Sequence, residues 1–124
     1  MRQVKITVGR VAITARLLDT PTAEALWAAA PFESRAAVWG EEVYFPAPFL
    51  VDREAEARDV LQPGEIAFRH DGGAVILAFG PTPVSRGDEI RTASPANVFA
   101  VAEDDLKALR DTEAGDLVTV QRGE

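Results

Sequence analysis

The sequence has no cysteine and a single histidine, His70. The first absence removes disulfides and thiolate metal sites, and it fits either redox compartment. The second leaves zinc without a ligand set, because one imidazole with no partner motif does not build a tetrahedral site. Positive charge is also scarce: 13 Lys and Arg stand against 20 Asp and Glu, a net charge of −7. Such a surface repels phosphate backbones and anionic lipid, so neither nucleic acid nor a membrane is an expected partner. Long apolar runs are missing too, and no stretch approaches the roughly 20 residues of a membrane helix. The opening "MRQVKITV" alternates like a strand and lacks the apolar core of a signal sequence, so the expected location is cytoplasmic.

What remains is an ordinary soluble composition. The 124 residues are 47% hydrophobic and 27% charged, which fits one globular domain over 1–124. Val4, Ile6 and Val8 alternate with polar residues, Gly9-Arg10 forms a Gly-X turn, and the alternation resumes from Val11 to Leu17. This is a hairpin. Thr20 then caps a short helix with Pro21 at its first position, and Ala23, Leu26, Trp27 and Ala30 share one face until Pro31 ends it. Glu42 to Phe45 reads as a strand that leaves its sheet at Pro46-Ala47-Pro48, with Phe49 to Val51 as a short edge strand. Residues 52–65 read as a solvated connection ending in a Pro63-Gly64 turn. "EIAFRHDGGAVILAFG" is a second hairpin whose return strand is apolar on both faces. "NVFAVA" is a strand, "EDDLKALR" a short helix with charges matched to its dipole, and "GDLVTVQ" a closing strand.

That order of elements resembles a cyclophilin. "DTPTAEALWAAAP" is similar to the P-x-T-A-E-N-F helix entry of cyclophilins, and "NVFAVA" to their H-V-V-F-G-K-V strand. "WGEEVYF", "PGEIAF", "AFGPTPVS" and "ASPANVFA" together resemble more closely a small prokaryotic cyclophilin-like family of no settled activity. The resemblance implies a mainly β fold: a closed antiparallel barrel of about eight strands capped by two short helices. It does not by itself transfer chemistry. Cyclophilins direct an arginine from an F-H-R strand at the prolyl amide, and the matching strand here is "EEVYF", which has acids instead. Their alignment glutamine falls near Leu77, and Phe79 alone carries over from the proline pocket.

No residue is therefore assigned a catalytic role, and no metal or cofactor is expected. The candidate ligand-binding residues are Tyr44, Phe68, Phe79, Thr82, Ser85 and Asn97. Thr82 and Ser85 follow a proline-stiffened turn and read as the hydroxyls of a pocket rim, although a plain rigid loop explains the prolines equally well. The aromatics are most simply core. Asn97 is a turn or cap residue whose match to the histidine of H-V-V-F-G implies a pocket contact. His70 is most simply a turn residue beside Asp71-Gly72-Gly73. Adjacent Glu41 and Glu42 point to opposite faces of a strand and cannot act as a carboxylate pair, and whichever is buried needs a hydrogen-bond partner. The first functional expectation is a domain that binds a peptide or small ligand in an apolar groove. A weak peptidyl-prolyl isomerase is the second. A structural or oligomerisation module pairing through "YFPAPFLV" is the third.

Overall fold

The computed structural model describes residues 2–123. Strands β1 (Gln3–Val8) and β2 (Val11–Leu17) form the first hairpin, in register from Gln3↔Arg16 to Val8↔Val11. Gly9 takes φ +58 at the first turn position, where a side chain would be strained. Val4, Ile6, Val8, Ile13, Ala15 and Leu17 are all buried on one face. Helix α1 (Pro21–Ala29) begins where its cap predicts, with the Thr20 hydroxyl accepting from the Ala23 amide at 3.1 Å. Ala23 and Leu26 are buried beneath it, while the half-buried Trp27 ring receives the guanidinium groups of Arg2 and Arg122 at 4.9 and 5.0 Å.

Eight further strands follow: β3 (Phe32–Arg35), β4 (Ala37–Val38), β5 (Glu42–Pro46), β6 (Arg58–Leu61), β7 (Glu65–Arg69), β8 (Ala74–Ala78), β9 (Ile90–Ala102) and β10 (Leu117–Arg122). Nine of the ten lie in the order β3-β10-β1-β2-β9-β7-β8-β5-β4. The two ends of that order, β3 and β4, are separated in the chain by Ala36 alone, so one bent segment closes the sheet into a nearly complete antiparallel barrel. Ala36 holds the bend by exchanging backbone bonds of 2.8 and 2.9 Å with Gly115 and Asp116.

The barrel interior takes Val43 and Phe45 from β5, Ile66 and Phe68 from β7, Val75 and Leu77 from β8, and Phe99 from β9. Their neighbours in sequence face outward, yet they too are covered. The first half of β9 leaves the barrel and pairs with β6, from Arg58↔Ala96 to Leu61↔Ile90. This two-stranded arch lays Leu61, Ile90 and Ala96 over Tyr44, Ala67, Ile76 and Ala78 on the outer face of β5-β8-β7. The return strand is apolar on both faces because it separates two cores.

Four local readings are corrected. The connection over 52–65 is not wholly solvated, since it contains β6. Phe49 to Val51 is not a strand: the Phe49 ring stacks on Phe68 at 4.8 Å, and Leu50 is exposed. The second helix is a single 3-10 turn, Leu106–Leu109, capped by Asp105; two leucines three apart bury one turn, and Glu113 offers nothing apolar to extend it. The "YFPAPFLV" segment is a strand only as far as Pro46, and that strand is paired with β8 along Glu42 to Pro46 and with β4 at Val43 and Tyr44, so its free edge is confined to Phe45 and Pro46. No helix among the described residues is long and apolar enough to cross a membrane.

Candidate functional site

The segments "WGEEVYF" and "FGPTP" lie against each other. Glu41 N donates to Pro81 O at 3.0 Å, and Phe79 N donates to Glu41 O at 2.9 Å. Two glycines allow the approach, each in a different way. Gly40 takes φ +60, and a Cβ there would stand 2.9 Å from Thr82 Cα. A Cβ on Gly80 would stand 2.7–2.9 Å from the Glu41 carboxylate atoms. The first glycine admits a neighbouring backbone, and the second leaves space for an acid.

This pair of loops forms one wall of a cleft of about 460 Å³. The other walls are the Pro63-Gly64 turn, Asp88 and Ile90 at the entrance to β9, and Asp105 to Lys107 at the 3-10 turn. Phe79, Pro81, Ile90 and Leu106 supply apolar surface, and Glu41, Asp88, Asp105 and Lys107 supply charge. Asp105 is partly engaged, since its Oδ1 accepts from the Lys107 amide at 2.9 Å. Among the described residues, Glu41, Asp88 and Lys107 take part in none of the ion pairs.

Of the six candidate residues, Phe79 alone lines this cleft. Thr82 and Ser85 stitch their own loop: Thr82 N donates to Ser85 Oγ at 2.9 Å, Ser85 N donates to Thr82 O at 2.9 Å, and the Thr82 hydroxyl donates to Arg91 O. Thr82 is 7% exposed, so its hydroxyl ties the loop to β9 and forms no rim. Phe68 lies wholly inside the barrel. Tyr44 sits half-buried on the outer face, with the Arg69 guanidinium 5.6 Å from its ring centre. Asn97 is 2% exposed and saturated: Oδ1 accepts from Glu54 N, and Nδ2 donates to Thr22 Oγ1 and Asp52 O. It fastens the 52–54 loop to α1. The residues that sequence reasoning missed are Glu41 and the far wall, Ile90, Asp88 and Leu106. The Gly-Glu step of "WGEE" carried a signal for the first; the others come to the cleft only through barrel closure.

Glu42 is 0% exposed beneath the arch, and neither carboxylate oxygen accepts a hydrogen bond from the protein. Burial pushes its carboxyl above the usual range, while the Thr92 hydroxyl and the Arg69 guanidinium act in the opposite direction. Arg69 is itself tied to Thr92 Oγ1 at 3.3 Å. His70 stands beside its turn, 3.4 Å from Asp71. No cluster of three or more His, Cys, Asp or Glu side chains among the described residues could hold a metal.

A family model described as cyclophilin-like matches residues 2–121. The solution structure of the hypothetical protein AF2241 from Archaeoglobus fulgidus superposes with a TM-score of 0.85 at 32% identity, covering 98% of this chain and 95% of that one. The structure of McbB in complex with tryptophan superposes with a TM-score of 0.70 at 19% identity, over 100% of this chain and 45% of McbB. The second likeness is one of fold alone. No curated protein matches the chain.

Proposed function

Because the chain belongs to the cyclophilin-like family, we propose that it is a non-catalytic binding domain that takes a peptide or small ligand in the cleft beside Phe79. The observation that carries this reading is the cleft itself. At about 460 Å³ it falls in the range of small-molecule sites, and it combines an apolar floor with a few polar groups. The loops that wall it are the family-like segments, held rigid by their mutual backbone bonds.

Residual prolyl isomerase activity is the weaker reading. The amide barrier of about 18–20 kcal/mol has to be lowered by a group that polarises the prolyl bond. The strand that would carry that arginine presents Glu42 and Tyr44 instead, and both lie beneath the arch or against Arg69. Losing such a preorganised contact typically costs about 2.7–4 kcal/mol of barrier lowering.

The test is a titration of isotopically labelled protein with capped Xaa-Pro peptides and with free tryptophan, the molecule held by McbB. Shifts at Phe79, Gly80, Ile90 and Leu106 are expected. A protease-coupled assay on the same peptides is expected to run at the uncatalysed rate. Shifts confined to Tyr44 and Ile76, or turnover within about tenfold of an ordinary cyclophilin, would overturn the proposal.

A further inference from the structure

We propose that the cleft selects a peptide segment presenting a Lys or Arg side chain beside apolar ones. This rests on the cleft being the binding site, and it concerns what the site prefers. The Glu41 backbone is fixed on both sides, by the bond to Pro81 O and by the bond from Phe79 N. Its carboxylate lies over Gly80, in space that the Cβ of any other residue would take. An acid held this way, with no cation paired to it, is placed to meet one from outside.

The surroundings agree in sign. Asp88 is also unpaired, Asp105 is half-engaged by its own turn, and Lys107 is the one cation of the lining. Arg91 and Arg58 are committed to carboxylates outside the cleft, and Arg86 and Arg110 are not among the residues that line it. Arg91 pairs with Asp59 at 2.8 Å and with Glu89 at 2.9 Å, and Arg58 pairs with Glu65. The net charge of −7 extends the same attraction to long range. Phe79, Ile90 and Leu106 meanwhile offer apolar surface that a bare ion does not use, whereas the stem and neighbours of a Lys or Arg side chain would cover it.

The experiment compares three capped pentapeptides, Ala-Leu-Lys-Leu-Ala and its Gln and Glu counterparts, by chemical-shift titration of labelled protein. The Lys peptide is expected to bind about fivefold tighter than the Gln peptide, the size of two partly exposed ion pairs. That preference should shrink as salt is raised from about 0.02 to about 0.5 M. Gly80→Ala is the informative variant, because its Cβ displaces only the flexible end of Glu41. It should leave the melting temperature near that of the parent and remove most of the Lys preference, as should Glu41→Gln. Lys107→Gln should strengthen Lys-peptide binding. Equal binding of the Lys and Gln peptides at Gly80, Ile90 and Leu106 would overturn the charge preference and leave the cleft intact. If no peptide shifts the cleft, both the preference and the site fall. A Gly80→Ala variant that keeps the full preference would remove Glu41 as its source.

Discussion

The barrel interior and the space beneath the β6–β9 arch are both closed to solvent, yet they treat polar groups in opposite ways. The interior is built from Val, Ile, Leu, Ala and Phe, and the polar pair at its margin, Asn97 and Thr22, is bonded at every strong donor. Under the arch lie Glu42, with two unbonded carboxylate oxygens, and Ser94, with an unbonded hydroxyl. A buried polar atom without a partner costs roughly 1–3 kcal/mol, and more if charged. The interior therefore supplies stability, and the arch covers a face that carries a penalty. An element whose cover gains least is the one that opens first.

The sharpest test of the interior half of this contrast is Phe68→Ala. Phe68 is 0% exposed and stacked by Phe49, so truncation should cost about 3–5 kcal/mol in urea denaturation. A loss below about 1 kcal/mol would mean that the interior tolerates a cavity, and the contrast would fail at its stronger end.

Thr82→Val tests what holds the arch down. The substitution keeps the shape but removes the hydroxyl that donates to Arg91 O, on the β9 half of the arch. A loss of about 1–2 kcal/mol is expected, the value of a buried hydrogen bond whose acceptor is left bare. Hydrogen exchange should quicken at Ile90 to Thr92 and stay unchanged in β1 and β2. Uniform quickening would show that the arch and barrel open as one unit.

The same division explains what could be read from residues alone. The β1–β2 hairpin, the Thr20 cap and the Asp-Gly-Gly hairpin are local, each fixed by alternation or by a turn between neighbouring segments of the chain. The resemblance carried barrel closure, which no local pattern encodes. The arch was not legible, because its two strands are separated in the chain and each looks like a loop. Charged residues hide β6, and Pro95 sits inside β9 where a central strand would exclude it. Pro95 is tolerated because it falls in the irregular stretch of the β6–β9 pairing, between Arg58↔Ala96 and Val60↔Arg91, just before the strand passes to β7 at Asn97. The cleft was legible only at "FGPTP". Its opposite wall is brought in by the turn before β7 and by the 3-10 turn, and the rim hydroxyls expected at Thr82 and Ser85 are taken up by backbone groups, the first donating to Arg91 O and the second accepting from Thr82 N.

The finest test reads one proton beneath the arch, by comparing Glu42→Gln with the parent across pH. Burial raises the folded-state pKa of Glu42 above its unfolded value of about 4.3. Below that value the acid is protonated in both states and adds no pH-dependent penalty. As pH rises, the unfolded chain ionises first, so the unfolded state is favoured increasingly until pH passes the folded pKa. Each unit of displacement is worth about 1.4 kcal/mol. Other carboxylates titrate with the opposite sign: Glu65, paired with Arg58, and Glu89, held at about 2 by Arg91, withdraw stability as pH falls. They are common to both proteins and cancel in the difference. The Gln amide brings its own donors beneath the arch, so the offset between the two curves carries no information and the slope does. The parent should lose stability relative to Glu42→Gln as pH climbs above about 4.3 and then run parallel to it. Parallel curves throughout would mean that Glu42 ionises as freely folded as unfolded. Water would then reach it, and the arch would be no lid over a second core.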